Sequence, residues 1–311
     1  MKTIPIVFAF DNRFEMPAGV CLTSLLENAA PDTFYDIFIL HGSESDFSSS
    51  RLNSLPGVYP NCRLTFRDVE GAFSGAHEIR GITEATYYKL IVPDVLPEYD
   101  KVLYSDVDVV FREDQARFFE TDLGDNYFAA VDNCSALRPE AREYVASLGL
   151  DPARGYFYAG NLVINAALLR RDSMTGVFRE MGKKKYFQQD MDIMNIACNG
   201  RILPLDPSFC MTVQLYYLMM NKPREFAALF PEEVTRHALR HGIVHYNGTK
   251  PWRKACLNMD IWWEYYRKSL WFDEGFYYRF WNDESLILDR LTLSKRLKLL
   301  LRYPYDRKHV K

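Results

Sequence analysis

A chain of 311 residues, 48% apolar and 25% charged, can bury one large α/β core with an appendage or two small cores, and its composition excludes wholesale disorder. The net charge is −3, but the stretch from Lys295 to Lys311 holds seven Lys/Arg and one Asp, a local +6 against −9 for the residues before it. An acidic body gives no footing for nucleic acid, and a basic tail on it points to a separate anionic partner.

The chain opens on an apolar run, Ile4–Phe10, that contains Pro5 and stops at Asp11. It is too short for a signal-peptide core and reads as a buried strand. Pro17–Asn28 has helical spacing through Val20, Leu22, Leu25 and Leu26. Asp36–Leu40 reads as a second strand, Ser45–Leu55 as a helix and Arg63–Val69 as a third strand. Thr83–Val92 reads as a helix ending near Pro93, and Lys101–Phe111 contains a fourth strand. Strands alternating with helices predict a mostly parallel, doubly wound α/β sheet with helices on both faces. The second half is less regular. Tyr127–Val131, Leu162–Asn165, Arg201–Leu205 and Gly242–Tyr246 read as strands, and Pro139–Leu148 and Gln189–Cys198 as helices. Residues 1–258 are expected to form one domain, and 259–311 a helical extension and tail. The extension packs eleven aromatics between Trp262 and Trp281. These are either its core or a platform for an acceptor or a membrane interface.

No stretch of about 18 uncharged apolar residues occurs, so no membrane span is expected. Cys21, Cys62, Cys134, Cys198, Cys210 and Cys256 form no C-x-x-C pair. Reduced thiols in a cytoplasmic protein are the expectation.

Ligands of doubly wound sheets bind beyond the carboxyl ends of the strands, which singles out Asp11, Asp106 and Asp108. In Val102-Leu103-Tyr104-Ser105-Asp106-Val107-Asp108 an apolar strand ends in two carboxylates at i and i+2, which leave one face of an extended segment. Such a pair repels itself unless a cation lies between, and hard divalent cations bridge carboxylates to phosphates in this way. A solvated turn is the plainer reading. Two enzyme classes use the pattern: metal-dependent glycosyltransferases, and phosphatases with a nucleophilic Asp. The phosphatase pattern starts its domain with this strand and adds a Gly-Asp-x-x-x-Asp downstream; here three strands precede it and no such cluster follows. A second segment, His245-Tyr246-Asn247-Gly248-Thr249-Lys250-Pro251-Trp252, offers an imidazole for a metal, a glycine for close backbone approach and a lysine for a phosphate.

Taken in order, Val7–Phe14, Asp106-x-Asp108, Tyr158–Asn165, Gln189–Asn195 and His245–Trp252 resemble glycosyltransferase family 8, and within it the bacterial lipopolysaccharide α-galactosyl- and α-glucosyltransferases. The resemblance covers roughly residues 4–255. It implies a GT-A fold, a UDP-sugar donor (UDP-glucose or UDP-galactose), Mn²⁺ with Mg²⁺ as the alternative, transfer with retention to a saccharide or glycolipid acceptor, and a place in cell-surface polysaccharide synthesis. By family position Asp106, Asp108 and His245 are the metal ligands, a mixed oxygen and imidazole set that suits Mn²⁺. Ala9, Phe10, Asp11, Phe14, Lys89, Val107, Gly248 and Lys250 are expected on the nucleotide and diphosphate. Asp132, Gly160, Asn161, Asp190 and Met191 are expected on the sugars, and Asp190, Lys250, Asp106 and Asp108 in catalysis. The chain departs from the family pattern at Phe14, Lys89, Tyr158, Asn161 and Met191, where Tyr, Arg, Asn, Val and Gln are common. A non-catalytic sugar-nucleotide binder is the reading from another class. In the tail, Leu297, Leu300 and Leu301 form a stripe beside Lys295, Lys298 and Arg302. Such a short basic amphipathic helix either holds the chain peripherally at an anionic inner membrane face or docks on the protein's own acidic body.

Overall fold

The computed structural model describes residues 2–77, 84–287 and 290–298. Ten strands occur among them: β1 (Lys2–Ala9), β2 (Thr33–His41), β3 (Cys62–Asp68), β4 (Lys101–Ser105), β5 (Val109–Val110), β6 (Phe128–Val131), β7 (Asn161–Asn165), β8 (Ile202–Leu205), β9 (Met211–Thr212) and β10 (Val244–His245). Seven build the main sheet in the order β3-β2-β1-β4-β7-β6-β8, and β5-β10-β9 form a small second sheet. In the main sheet β7 alone runs against its neighbours. The β1 side chains show why a continuous apolar run makes a central strand: Ile4, Ile6 and Phe8 enter one buried cluster and Val7 the other. Both faces of the sheet are covered at β1, so alternation with polar residues is absent there.

The helix Glu15–Glu27 is buried along Pro17–Leu26 because the C-terminal helices cover its outer side. A Cβ on Gly19 would fall 2.1 Å from the Trp271 ring, so only glycine admits this packing. In the helix Met259–Lys268, Trp262, Trp263 and Tyr266 are at most 1% exposed and belong to the same cluster as β1. Most of the aromatic stretch is therefore core, while Phe272 and Tyr278 remain exposed. All six cysteines are free thiols, and no helix of the described residues is long and apolar enough to cross a membrane.

Several segments differ from expectation. Ser45–Ser50 is irregular chain with a turn at Ser48–Ser49, and helical form appears only at Arg51–Ser54 and Leu55–Val58. Asp46 accepts a hydrogen bond from the Ser48 amide, a local bond that competes with the helical ladder, while Ser50 caps the later 3₁₀ turn by accepting from the Leu52 amide. The helix expected over 83–92 is a 3₁₀ helix at Glu84–Ile91 that passes into a short α-helix at Val92–Val95, and Thr83 lies outside the described residues. Strand β9 and the helices Val213–Asn221, Pro223–Leu229 and Glu232–His241 were not anticipated. Residues 293–298 are helical, with Leu293 and Leu297 exposed; Leu300 and Leu301 of the predicted stripe, and Arg302 beside it, lie outside the described residues.

Candidate active site

The carboxyl ends of β1, β4, β6 and β8 share one edge with the start of β7, because β7 runs the other way. The chain leaves β4 at Asp106, whose amide donates to the Gly160 carbonyl at 2.7 Å, just ahead of β7. Antiparallel pairing of β5 with β10 sets Val109 opposite His245, and the Tyr246 amide donates to the Asp108 carbonyl at 2.9 Å. Two short strands thus carry an imidazole from late in the chain to the carboxylate pair.

One ligand atom from each of Asp106, Asp108 and His245 lies within 4.8 Å of the others. His245 Nε2 is 3.1 Å from Asp108 Oδ1 and 3.7 Å from Asp106 Oδ2. The remaining atoms of all three are held from outside. Asp106 Oδ1 accepts from the Tyr104 hydroxyl at 2.9 Å and faces Lys89 Nζ at 3.3 Å. Asp108 Oδ2 accepts from Lys250, which also donates to the Tyr246 carbonyl at 2.8 Å. His245 Nδ1 faces Cys210 Sγ at 3.4 Å. Two oxygens and one nitrogen therefore converge with their outer partners already fixed, the arrangement that orients ligands for a cation. Gly160 keeps the space clear: a Cβ there would lie 2.3 Å from His245 Cε1 and 2.8 Å from Asp106 Oδ2. The donor set fits a divalent ion.

The charges are tightly matched. Burial pushes the Asp106 carboxyl up and Asp108 adds to the push, while Lys89 opposes it. For Asp108, burial also acts upward, but Lys250 and His245 win and hold it well below the usual carboxylate range. Burial disfavours a charged Lys89, yet Asp106 and Asp190 keep it protonated. Lys89 Nζ lies 2.8 Å from Asp190 Oδ2, and Thr86 Oγ1 donates to Asp190 Oδ1 at 3.1 Å. In a 3₁₀ helix residues i and i+3 eclipse, which is how Thr86 and Lys89 reach the same carboxylate. Asp190 opens the helix Asp190–Ala197, after Gln189 at φ +45° and ψ −116°. That backbone is unfavourable for a side-chain-bearing residue by about 1–3 kcal/mol.

Two cavities meet at Thr86, Asp106 and Asp108. The smaller, about 300 Å³, is lined by Ala9, Phe10, Asp11, Phe14, Val107 and Lys250 among others. Asp11 caps the turn Asn12–Phe14 and pairs with Arg13 at 2.6 Å. The larger, about 590 Å³, includes Lys89, Gly160, Asp190, Met191 and His245. Three of the expected site residues line neither cavity. Asn161 is 1% exposed and donates to Ser105 Oγ. Asp132 Oδ1 accepts from the amides of Cys134 and Tyr156 at 3.1 Å each. Gly248 sits on the turn between the cavity residues Asn247 and Lys250. Thr86, Asn133, Arg138, Gln214 and Cys210 were missed. Thr86, three residues before Lys89, carried the one usable sequence signal.

The chain matches the family described as glycosyl transferase family 8 over residues 5–256. It is similar to glycosyltransferase GlyE of Streptococcus pneumoniae, 24% identical over 84% of this chain and 60% of that protein. It is likewise similar to the lipopolysaccharide 1,2-glucosyltransferase of Escherichia coli, 22% identical over 81% of this chain and 74% of that one. The solved structure of galactosyltransferase LgtC with donor and acceptor sugar analogues has a TM-score of 0.70 and 28% identity, covering 89% of this chain and all of that one. The fold is thus the GT-A arrangement expected from the sequence. The chain spans 60% of the length of GlyE.

Proposed function

The chain belongs to glycosyl transferase family 8, and from that membership we propose that it transfers a glucose or galactose residue from a UDP-sugar to a saccharide acceptor with retention of configuration. The observation that carries the reading is the junction of the two cavities at Asp106 and Asp108. A nucleotide in the smaller cavity would place its diphosphate at this junction and its sugar toward Asp190. Phe14 offers a face to the uracil ring, and Asp11 a carboxylate for donor groups of the nucleoside. Asp106, Asp108 and His245 would hold Mn²⁺, which when bound neutralises charge growing on the diphosphate. Lys250 adds a cation to the same leaving group, and Lys89 fixes Asp106 and Asp190. Preorganised charge of this kind supplies much of an enzyme's rate.

Retention calls for attack on the face that UDP leaves, or for two inversions through a covalent intermediate. The side chains here favour the first. Met191 carries no nucleophilic oxygen or nitrogen. Asp190 is engaged by Lys89 and Thr86, and Asp192 is fully buried, accepting from the Tyr144 and Tyr156 hydroxyls and the Gln188 amide. The acceptor hydroxyl then bonds to the sugar carbon as the bond to UDP breaks, and its proton passes to the departing phosphate oxygen. Residues 1–258 supply the catalytic machinery in this reading, and 259–311 an appendage whose basic end holds the chain peripherally at an anionic inner membrane face carrying a lipopolysaccharide-type acceptor. The similarity to the Escherichia coli lipopolysaccharide glucosyltransferase supports that setting.

The test is UDP release from a panel of UDP-sugars with Mn²⁺ and without acceptor. Release from UDP-glucose or UDP-galactose is expected. Tight donor binding without release would instead mark a non-catalytic binder.

A further inference from the structure

The larger cavity extends beyond the residues that the transfer needs, into a wall formed by Asn133, Arg138 and Tyr144 with Phe187 at an exposed rim. None of these lines the smaller cavity. The other cations of the two cavities are matched: Lys89 with Asp106 and Asp190, His245 and Lys250 with Asp108, Arg13 with Asp11. Arg138 is not. Its Nη2 donates to the Asn133 carbonyl at 3.1 Å, its Nε is buried without a partner, and it enters no ion pair among the described residues. Asp132 feels its charge, but one oxygen of that carboxylate already serves two backbone amides. Glu140 lines the same cavity from an exposed position without pairing to it. Asn133 is 7% exposed, and its Oδ1 is likewise buried and unpartnered.

Arg138 thus brings to the cavity wall a cation without a carboxylate partner, held beside Asn133 by its bond to that residue's carbonyl, and a charge so placed attracts an anion. An arginine is the side chain best shaped to meet a carboxylate or phosphate with two parallel bonds. We propose that Arg138 and Asn133 form an acceptor subsite that selects a saccharide bearing an anionic substituent, a carboxylate or a phosphate ester. Arg138 takes the anion, Asn133 takes a neighbouring hydroxyl, and the Phe187 rim lies where a sugar ring enters. This rests on the transfer reading for the word acceptor, not for the site itself.

The experiment is ligand-observed NMR titration with methyl glucoside, methyl glucuronide and methyl glucoside 6-phosphate, in saturating UDP and Mn²⁺ so that phosphate cannot enter the nucleotide cleft. UDP binding is measured first, and its absence would refute the nucleotide-sugar reading independently. At least one anionic sugar is expected to bind about tenfold or more tightly than the neutral one, the lower range for hydrogen bonds to a charged group. The two anionic probes tell carboxylate from phosphate. Arg138→Gln removes the preference, and Arg138→Lys, which keeps the charge without the fork, restores part of it. On the wild type alone, raising salt from about 0.05 to 0.5 M weakens the anionic sugars and leaves the neutral one unchanged. Equal affinity for charged and neutral sugars, or a preference that survives Arg138→Gln, overturns the proposal.

Discussion

Replacing Gly160 with alanine tests the converging ligand set by closing it from the side. The added methyl would stand 2.3 Å from His245 Cε1 and 2.8 Å from Asp106 Oδ2. Ordinary contact begins near 3.4 Å, so the imidazole must retreat by about 1.1 Å if the backbone holds. It is poorly able to do so, because Gly160 receives the Asp106 amide and His245 is 5% exposed with Cys210 behind it. Metal–ligand bonds tolerate errors of about 0.2 Å, so the ring cannot both avoid the methyl and ligate. The overpacking itself costs about 1–3 kcal/mol, which for a chain of this size lowers Tm by several degrees and leaves it folded. Mn²⁺ binding, read by the loss of free-ion signal in electron paramagnetic resonance, is expected to weaken by about 100-fold, comparable with the upper range for disturbing a ligand's support. UDP release falls with it. A folded Gly160→Ala protein with wild-type Mn²⁺ affinity would refute the assignment of Asp106 and His245 to one ion.

Asp108→Asn keeps the shape but removes the charge that faces both His245 and Lys250; turnover is expected to drop by at least about 10²-fold, roughly 2.7 kcal/mol, and chelation by EDTA to abolish it. UDP release that persists in EDTA would defeat the metal assignment. Burial opposes protonation of His245, but Asp108 and Cys210 prevail and raise its pKa well above the ordinary value. A cation must therefore displace a proton, so Mn²⁺ affinity rises with pH until the ring deprotonates unaided; an affinity flat from about pH 5.5 to 8.5 would contradict this. Mass spectrometry during turnover is expected to find no glycosyl adduct on Asp190 or Asp192, and trapping one would replace front-face attack with double displacement. Removing Lys295–Lys311 is expected to spare UDP-sugar hydrolysis and to abolish sedimentation with anionic vesicles at low salt; equal sedimentation of full-length and truncated protein would remove the membrane role of the tail.

The sequence by itself determined the αβ alternation of the first half, the strand that leads into Asp106 and Asp108, and the segment that supplies His245 and Lys250. Each is a local pattern: an apolar run, a spacing of two, a cluster of chemistry-bearing residues within eight positions. Of the smaller cavity the strand-end rule picked out Asp11 alone, and Ala9, Phe10 and Phe14 came from the family resemblance. Elsewhere local signals conflicted. Asp46 bonds the Ser48 amide where a helix over 45–55 was expected to start, and a 3₁₀ turn, not an α-helix, aligned Thr86 with Lys89. What only the tertiary structure decided came from contacts between distant segments. The antiparallel course of β7 brings Gly160 to the ligand edge and draws Asn161 into the core, away from the sugar cavity where the family resemblance had placed it. The pairing of β5 with β10 brings His245 to Asp108. Cys210 behind His245 and the unpaired Arg138 carry no motif at all. Which side chains are left without partners is a property of the packed whole, because it depends on every neighbour that could have supplied one.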